Sequence, residues 1–576
     1  MQRSCSVSRR YRLAGALALL DLIAGPVCAQ SLPQASQINP GRIQTPQAPA
    51  QPNQTPATEL PSLPVQAAPA EAAQIRFHAT RVTVVGSTVF PQAQLAPYVA
   101  SLQGRDITLA DLYRAATAIT HKYRDAGYLL SRAVVPAQQS ADGSFHIKVV
   151  EGYADTVVVQ GAHPALMEDY ARNIEASRPL SAAVLERNLL LANDLPGYTV
   201  RAVIEPSQVN NGATRITLVV QAFKRDDGFV GIDNRQSRYF GPWEWYGGFN
   251  LNDPFGRGDR LSLRAGSSFP VSQLRYGEAE YDTPLGIHGA ELAVVGGANK
   301  SDPGFVLSPF DVDGSSQNYS VQLSYPWIRS RNNTVKVAVS LTGYDGRTVF
   351  LGEPDLPPSS DDHIRAVRVA ISDDFADDLG GRNLLKAEFS QGIDALGASD
   401  EDRLDPSRLG GRTDFHKLTL DAQRQQNLDG IASGLALYGA LTAQTSLGQR
   451  LLLPEQFGVG GTFFGRGYDP SEITGDSGIA GKLELQWNKA LPFGNRSVPT
   501  QFYGFYDVGK VWNESMAAYR EASLASAGFG ARSYLGKSLY LNLELAKPLT
   551  RPDSAAVLDG KNGRAPRFFV SVLWSF

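Results

Sequence analysis

A candidate ion-pairing residue lies in the stretch FYDVG, residues 505–509, of this 576-residue chain. If the stretch forms a β-strand, alternation places Asp507 on one face together with Phe505 and Gly509. A carboxylate on a strand needs a hydrated face and a cationic or hydrogen-bonding partner, because burying it alone is costly. The stretch therefore predicts an ion-pairing site on the wet face of a strand.

A candidate functional loop contains a second stretch, FFGRGYDP, residues 463–470. It places Arg466 between two glycines, inside a long segment, residues 446–478, in which polar and apolar residues do not alternate. Loops of this length are usually either functional or disordered, and a run of Gly, Phe, Arg and Tyr is not a disordered composition. We therefore interpret the segment as a functional loop.

Catalytic chemistry is not indicated by the rest of the chain. It lacks H-E-x-x-H, G-x-x-x-x-G-K-[ST] and a clear nucleophile elbow, and its seven histidines are scattered. Both cysteines, Cys5 and Cys28, precede the predicted mature start. The mature chain would therefore have no thiol that could act as a nucleophile or bind a metal. The acidic run DDFADD, residues 373–378, admits a cation, but a solvated turn is the simpler interpretation. We therefore expect no enzyme activity, no cofactor and no metal, and the net charge of −3 argues against nucleic-acid binding.

The element that positions both stretches is predicted from residue 224 onward, where apolar and polar residues alternate. Examples are KLELQWN, residues 482–488, and LYLNLELA, residues 539–546. Sixteen such segments of about ten residues are separated by turns rich in Gly, Asn, Asp and Pro. A two-sheet sandwich would also alternate, but the even number and the length favour an outer-membrane barrel with lipid outside and water inside.

The last predicted strand ends in an aromatic residue. In RAPRFFVSVLWSF, every second residue up to Trp574 is apolar, the residues between them are mixed, and Phe576 is final. This pattern is typical of a strand with one lipid-facing side, and Trp574 suits the aromatic belt at a membrane interface.

The start of the chain is predicted to be an export signal followed by a linker. Residues 1–29 combine a basic flank, an apolar run and small residues at the end, as secretory signal peptides do. Residues 30–74 are rich in Pro, Gln and Ala and poor in bulky apolar residues, so we expect an extended linker.

Residues 75–223 combine short strands with amphipathic helices and contain an internal repeat. GYLLSRAVVP, residues 127–136, is matched by GYTVRAVIEP, residues 197–206, and Gly86 recurs as Gly161. The repeat predicts two α+β modules of about 75 residues each.

These features together resemble the two-partner secretion transporters of the TpsB type. That group comprises the haemolysin and filamentous-haemagglutinin secretion/activation proteins, within the outer-membrane assembly superfamily. The resemblance rests on the barrel, the two modules, the RGY loop and the F-x-D-x-G strand, and it covers the chain after residue 74. It implies two POTRA-like domains, residues 75–152 and 153–223, before an all-β transmembrane barrel of about 16 antiparallel strands, residues 224–576.

The resemblance also implies a loop–barrel lock, in which loop 446–478 folds into the barrel and its arginine pairs with the aspartate of the thirteenth strand. A guanidinium and a carboxylate form a bidentate, orienting pair. The lock residues are Arg466, Gly467, Tyr468, Phe505, Asp507 and Gly509. The family usually has an apolar residue before the arginine, so Gly465 predicts a more flexible loop tip. Family members often begin with a plug helix, and the prolines of residues 30–74 permit at most a short one.

The implied function is secretion of an unfolded exoprotein across the outer membrane without nucleotide hydrolysis. The expected partner carries an N-terminal β-helical secretion domain and docks on the first module by strand addition or groove burial. The predicted docking residues are Leu112, Ile119 and Tyr123 on one helix, and Val134 on a strand. The cargo stays open among adhesins, cytolysins, contact-dependent toxins and haem-binding proteins.

The further expectations concern location and biogenesis. The resemblance implies a monomer in the outer membrane, in contact with lipid and lipopolysaccharide, with its N-terminal domains in the periplasm. The barrel-assembly machinery is expected to read Phe576 and Trp574 during insertion. Two alternatives remain: an assembly factor of the same superfamily, which usually has three or more modules, and a passive porin, which needs no periplasmic arm.

Overall fold

The computed structural model describes residues 65–208, 210, 213–354, 359–400, 405–494, 496–514, 519–550 and 563–576. The predicted signal peptide, the predicted linker as far as residue 64 and any plug helix within it lie outside the described residues. The described end of the linker forms a 3-10 turn at Ala70–Ala73, in which Ala72 is buried.

The first module is a small α+β domain. Its elements are β1 (Arg76–Ala79), β2 (Arg81–Val85), α1 (Gln92–Leu95), α2 (Pro97–Ala100), β3 (Arg105–Thr108), α3 (Leu109–Asp125), β4 (Arg132–Val134) and β5 (Ser144–Val150). Strands β2, β5 and β4 form a sheet in that order, and β1 pairs with β3. Helix α3 begins with a capping box formed by Thr108 and Asp111, which satisfies two otherwise unpaired groups at the helix start.

The second module repeats this plan. Its elements are β6 (Tyr153–Gln160), α4 (Ala165–Ala176), α5 (Ala182–Asp194), β7 (Tyr198–Pro206) and β8 (Ala213–Phe223). Its sheet order, β6-β8-β7, matches β2-β5-β4 of the first module. The repeated Arg-Ala-Val string falls on β4 and β7, so the predicted internal repeat is confirmed.

The two modules and the barrel are in contact. Leu130 of the first module lies in the apolar core of the second. Helix α5 lies on the periplasmic turns of the barrel, where Arg329 donates to both carboxylate oxygens of Asp194 at 2.6 and 2.8 Å. Nη2 of Arg187 donates to the carbonyl oxygens of His288 and Pro326 at 3.0 and 2.9 Å. The second module is therefore held against the barrel mouth.

The remainder of the chain forms a closed antiparallel barrel of 16 strands. The strands are β9 (Asp226–Asp233), β10 (Glu244–Asn252), β11 (Arg260–Ser268), β12 (Leu274–Leu285), β13 (Ala290–Ser301), β14 (Asp313–Arg329), β15 (Asn333–Val349), β16 (Ser360–Ala376), β17 (Gly381–Gly392), β18 (His416–Asn427), β19 (Leu435–Thr445), β22 (Ser477–Phe493), β23 (Arg496–Trp512), β24 (Glu521–Leu535), β25 (Leu539–Pro548) and β26 (Arg567–Ser575). Two short strands, β20 (Phe457–Val459) and β21 (Ile473–Gly475), lie in the loop between β19 and β22. The predicted fold class is confirmed.

The alternation of apolar and polar side chains along each strand explains the two faces of the barrel wall. On β22, Leu483, Leu485 and Trp487 are 53, 51 and 45 % exposed, whereas Glu484 and Gln486 between them are 2 and 6 % exposed. The apolar set faces outward, where lipid covers it, and the polar set faces the interior, where other side chains satisfy it. Among the described residues, no helix combines the length and the apolar character that a membrane crossing requires.

The barrel closes where its first and last strands meet. β26 pairs with β9 over five residues, from Ser571 opposite Asp233 to Ser575 opposite Phe229. Phe576 extends this seam, because its backbone N–H donates to the Gly228 carbonyl at 3.0 Å. The seam is short compared with the pairing of β22 and β23, in which both strands are 17 residues long.

Candidate functional site in the barrel lumen

The loop between the eleventh and twelfth barrel strands, residues 446–476, folds against the inner wall. It contains a 3-10 turn at Leu453–Glu455 and a ribbon in which β20 pairs with β21. Val459 and Ile473 of the loop belong to one apolar cluster with Val511 and Leu524 of the wall. This cluster positions the tip of the loop beside β22, β23 and β24.

Arg466, at the loop tip, forms a buried bidentate ion pair. It is 4 % exposed, and its Nε and Nη2 donate to the two carboxylate oxygens of Asp507 at 2.9 and 2.8 Å. Its Nη1 donates to Glu484 at 2.8 Å and lies 3.6 Å from a carboxylate oxygen of Glu544. The guanidinium carbon lies 3.5 Å from the ring centroid of Phe505, a cation–π contact. A planar fork between carboxylates and over a ring is a geometry that arginine satisfies and lysine does not.

The backbone of the tip also binds Asp507. The N–H groups of Gly465 and Arg466 donate to its Oδ2 at 3.2 and 3.0 Å. Gly465 has a φ of +85°, and a Cβ there would lie 2.7 Å from a methyl carbon of Leu524. The absence of a side chain at this position is therefore explained by backbone conformation and by lack of space, rather than by a need for a flexible tip.

The other lock residues hold the tip close to the wall. The hydroxyl of Tyr468 lies 2.9 Å from the carbonyl oxygen of Ala525 and 2.8 Å from that of Thr550. A Cβ at Gly467 would come within 2.9 Å of the backbone nitrogen at the end of β25. A Cβ at Gly509 would come within 2.5 Å of a side-chain carbon of β20. The structure thus brings all six predicted lock residues together.

Two of the carboxylates around Arg466 have a second arginine partner, and a lysine lies across the strand pair from the third. Glu484 accepts hydrogen bonds from Arg532 at 2.6 and 3.1 Å, and Glu544 accepts one from Arg235 at 3.1 Å. Lys482 of β22 lies directly opposite the aspartate of the lock in the strand register. Three cations outside the loop therefore lie near the three carboxylates, and Arg466 is an additional positive charge brought by the loop.

A second anchor of the loop was missed in the sequence. Glu455, 6 % exposed, receives hydrogen bonds from Arg368 at 2.6 and 3.3 Å and lies 2.6 Å from the ammonium of Lys417. Alternation places both cations on the inward face of their strands. It does not indicate which of the 16 strands the loop approaches, because that depends on the path of the loop.

Two further aspartates fix the descending part of the loop. Asp476 accepts from Arg408 of the preceding extracellular loop at 2.9 Å. Asp469 lies 2.5 Å from Arg238, which follows β9, and 2.9 Å from Arg567 on β26. The two contacts of Asp469 therefore join the loop to both sides of the barrel seam.

The predicted docking residues require a correction. Leu112, Ile119 and Tyr123 are 1, 0 and 0 % exposed, because they form the face of α3 that packs on the sheet of the first module. They belong to the core and do not present a binding surface. Helical periodicity identified the apolar face but could not distinguish a core from a docking site.

The docking strand also differs from the expectation. Val134 is partly buried on β4, the edge strand. The backbone N–H of Ala133 donates to the Thr120 hydroxyl at 3.0 Å, and that of Val135 donates to Gln66 Oε1 at 2.8 Å. These edge donors are already used, so β4 is a poor site for strand addition.

The C-terminal aromatic residues lie on the outside of the barrel. Trp574 and Phe576 are 52 and 43 % exposed, and their ring centroids are 5.1 Å apart. The ammonium of Lys224 donates to the backbone oxygen of Phe576 at 2.8 Å. The last residue is thus part of the closed barrel as well as of the outer surface.

Comparisons with known proteins agree with this architecture. The family described as "Haemolysin secretion/activation protein ShlB/FhaC/HecB" matches residues 212–533, and the family "POTRA domain, ShlB-type" matches residues 77–152. The solved structure titled "CdiB from Escherichia coli" covers 100 % of both chains with a TM-score of 0.72 and 22 % sequence identity.

Curated relatives extend over most of the chain. The Heme/hemopexin transporter protein HuxB of Haemophilus influenzae is 22 % identical over 83 % of this chain and 84 % of its own length. The Outer membrane transporter CdiB of Dickeya dadantii is 24 % identical over 82 % of this chain and 83 % of its own. Since one family covers more than half of the residues, the chain belongs to the haemolysin secretion/activation protein family ShlB/FhaC/HecB, the outer-membrane transporters of two-partner secretion.

Proposed function

We propose that this transporter carries an unfolded exoprotein from the periplasm through the barrel, and that the loop–barrel lock holds the resting state. The observation that carries the proposal is the buried bidentate pair between Arg466 and Asp507 on the inner wall. A polypeptide that passes through the lumen has to displace the loop that lies there. The lock is then the contact that the cargo breaks.

The wall charges support a lock that opens without leaving carboxylates unpaired. Removing one partner of a buried ion pair typically costs about 3–5 kcal/mol, because the other charge stays buried and uncompensated. Here Arg532 and Lys482 on the wall, and Arg235 in the segment after β9, remain in place when the loop leaves. The cost of displacing Arg466 is therefore reduced.

The driving force in this proposal comes from the cargo. The relatives named above are transporters, and HuxB is named as a transporter of haem and haemopexin. We propose an exoprotein with an N-terminal β-helical secretion domain as the partner of this chain. It docks on the first module and folds at the cell surface, where folding prevents return.

The test of the lock is a charge exchange. Asp507→Arg places two guanidinium groups in contact, so we expect secretion of the co-expressed exoprotein to fall strongly while the barrel still inserts. The exchanged variant, Arg466→Asp with Asp507→Arg, restores one pair of opposite charges and should recover part of the secretion. Secretion is measured as exoprotein in the medium, and insertion as heat-modifiable migration of the barrel.

The matched control is the exposed pair of Arg382 and Asp374, joined by two hydrogen bonds of 2.9 Å at the periplasmic end of the wall. Asp374→Arg should leave secretion nearly unchanged, because exposed pairs contribute little. Normal secretion by Asp507→Arg, or the same loss in the exchanged variant as in the single one, would contradict the lock.

The assembly-factor alternative is not favoured. The family match is to secretion/activation proteins, and the described periplasmic part has two modules where assembly factors usually have three or more. An assembly factor would lower the level of several outer-membrane proteins when deleted. The secretion proposal expects only the exoprotein to be affected.

A further inference from the structure

One hairpin of the barrel extends beyond its neighbours on the periplasmic side. β22 pairs with β19 only as far as Trp487, and β23 pairs with β24 only from Thr500 onward. Among the described strands, residues 489–493 of β22 pair only with β23. At about 3.4 Å per residue, this ribbon, residues 489–494 and 496–499, projects about 17 Å past the adjacent strands.

The outward face of the ribbon continues the lipid-facing stripe of the barrel. Leu483, Leu485 and Trp487 share a face with Lys489, Leu491 and Phe493, since all six alternate along β22. Trp487 lies opposite Phe502, with ring centroids 6.3 Å apart and both side chains exposed. Aromatic residues at the end of an apolar band mark the membrane interface. The last aromatic residue of this band on β22 is Phe493, so the band reaches the interface at the tip of the ribbon.

The ribbon is apolar and cationic. Phe493 is 71 % exposed and Leu491 39 %, and Lys489 lies 4.8 Å from the ring centroid of Trp487. Arg496 is a second exposed cation, and residues 488–499 contain no Asp or Glu. An apolar strip with flanking cations is the composition of surfaces that bind anionic membranes.

Another periplasmic turn shows that this composition is not general. Leu379 is 80 % exposed at the tip between β16 and β17, but it follows Asp377 and Asp378. An acidic tip is repelled by an anionic surface, so the two turns differ in charge although both expose large apolar side chains.

The ribbon is poorly suited to a protein strand as its partner. Pro492 lies in β22 and Pro499 in β23, so each edge lacks one backbone donor. Proline on an edge strand blocks the pairing through which a cargo chain would add to the sheet.

We propose that the outward face of the ribbon, formed by Lys489, Leu491, Phe493, Arg496 and Val498, binds anionic phospholipid headgroups in the periplasmic leaflet of the outer membrane. Leu491 and Phe493 enter the boundary between headgroups and acyl chains, and the two cations contact the phosphates. The ribbon then anchors the periplasmic end of β22 and β23 in the membrane, and it fixes the depth and tilt of the barrel on that side.

The experiment uses the absence of cysteine after Cys28. In the full chain, Cys5 and Cys28 are replaced by serine, and Phe493→Cys carries a nitroxide label. The protein is reconstituted in vesicles of phosphatidylethanolamine with phosphatidylglycerol, and in vesicles of phosphatidylcholine alone. Power saturation compares the accessibility of the label to oxygen with its accessibility to a water-soluble nickel chelate. Leu379→Cys is the matched control.

We expect the label at residue 493 to be more accessible to oxygen than to nickel in the anionic vesicles, and the label at residue 379 to show the reverse. The double variant Lys489→Glu with Arg496→Glu should weaken association with spin-labelled phosphatidylglycerol by about fivefold per cation. Arg382→Glu, on the same rim, should change it little.

Three results would overturn the proposal. The first is nickel accessibility at residue 493 equal to that at residue 379. The second is equal immersion in both vesicle types with no effect of the double variant, which would leave only a non-specific apolar contact. The third is immersion that appears only after exoprotein is added, which would make the ribbon a cargo surface.

Discussion

Lys482 is the wall cation that stays opposite Asp507 when the loop leaves. A cross-strand ion pair contributes about 0.2–1 kcal/mol. We predict that Lys482→Met lowers the rate of secretion by about two- to fivefold, because the open state loses its compensating charge while Arg466 still serves the resting state. Hydrogen exchange of loop residues 453–475 should be unchanged.

The control for Lys482 is Lys386→Met. Lys386 donates to Glu388 at 2.9 Å on the same strand and is remote from the lock. A faster exchange of the loop in Lys482→Met would show instead that the lysine supports the docked state, contrary to the prediction.

Glu151 is a carboxylate of the first module that gives a pH-dependent stability. It accepts from the backbone N–H of Thr88 at 2.7 Å and from the Tyr123 hydroxyl at 2.7 Å. Burial acts to raise its pKa, but the hydrogen bonds from Thr88, Val89 and Tyr123 outweigh burial and lower the pKa below the usual value. The stabilisation is therefore present above the unfolded pKa and is lost as the pH falls through the folded pKa.

We predict that Glu151→Gln destabilises the first module by about 1–3 kcal/mol near neutral pH. The difference from the parent should shrink as the pH falls below about 4, because the parent carboxylate then protonates as well. Hydrogen exchange of α3, measured in both proteins across this range, tests the prediction. A difference that does not change with pH would show that the charge of Glu151 has no part in it.

The ion pair of the lock could be predicted from individual residues, but the arginines that surround it could not. Alternation placed Asp507 on the wet face, and the RGY motif identified Arg466. Alternation also put Glu484 and Glu544 inside, but their partners Arg532 and Arg235 lie 48 and 309 residues away in the chain. Such pairs depend on strand register and on the path of the loop, which local pattern does not contain.

At the scale of elements, the fit of α5 on the barrel turns depends on one glycine. Gly289 and Gly286 lie in the same turn with φ of +82° and +74°. A Cβ at Gly289 would come within 2.5 Å of a methyl carbon of Leu191 on α5, whereas a Cβ at Gly286 would meet nothing within 4 Å. Both substitutions place a side chain at a positive φ, but only the one at Gly289 collides, with the helix and with Pro326 of β14.

We predict that Gly289→Ala moves the second module away from the barrel and lowers secretion, and that Gly286→Ala does neither. Pulsed electron–electron distances between a label on α4 and a label on β14 should lengthen or broaden only in Gly289→Ala. Equal distributions in the two variants would mean that the helix contact does not position the module.

Element types could be predicted better than element surfaces. The 3.6-residue period identified α3 and the period of two identified the strands, because both follow from local geometry. The predicted role of α3 as a docking surface was wrong, because Leu112, Ile119 and Tyr123 face the sheet of their own module. A sequence period gives the face but not the partner of that face.

At the scale of the whole molecule, the 16 strands and their order could be predicted from alternation and turns. The number of residue pairs that close the barrel between its first and last strands could not. The seam between β9 and β26 spans five residue pairs, and Phe576 adds a backbone contact to Gly228. The ring of Phe576 also occupies the space next to Gly228, where an added Cβ would lie 2.6 Å from it.

We predict that Phe576→Ser lowers the amount of closed barrel in the outer membrane, because the seam loses the ring that covers its end. Phe568→Ser is the control, since Phe568 is 56 % exposed on the same strand but lies away from this end of the seam. Heat-modifiable migration reports closure. An equal loss in both variants would show that exposed aromatic area, rather than the position of Phe576, determines the yield.

The end of the chain meets the root of the periplasmic arm. Lys224 lies between β8 of the second module and β9 of the barrel, and it binds the backbone oxygen of Phe576. This contact joins the barrel and the second module at the corner where the strand pairing is shortest, in addition to the contacts of α5 with the barrel turns. A force on the second module is therefore transmitted to the weakest line of the wall as well as to the turns beneath α5.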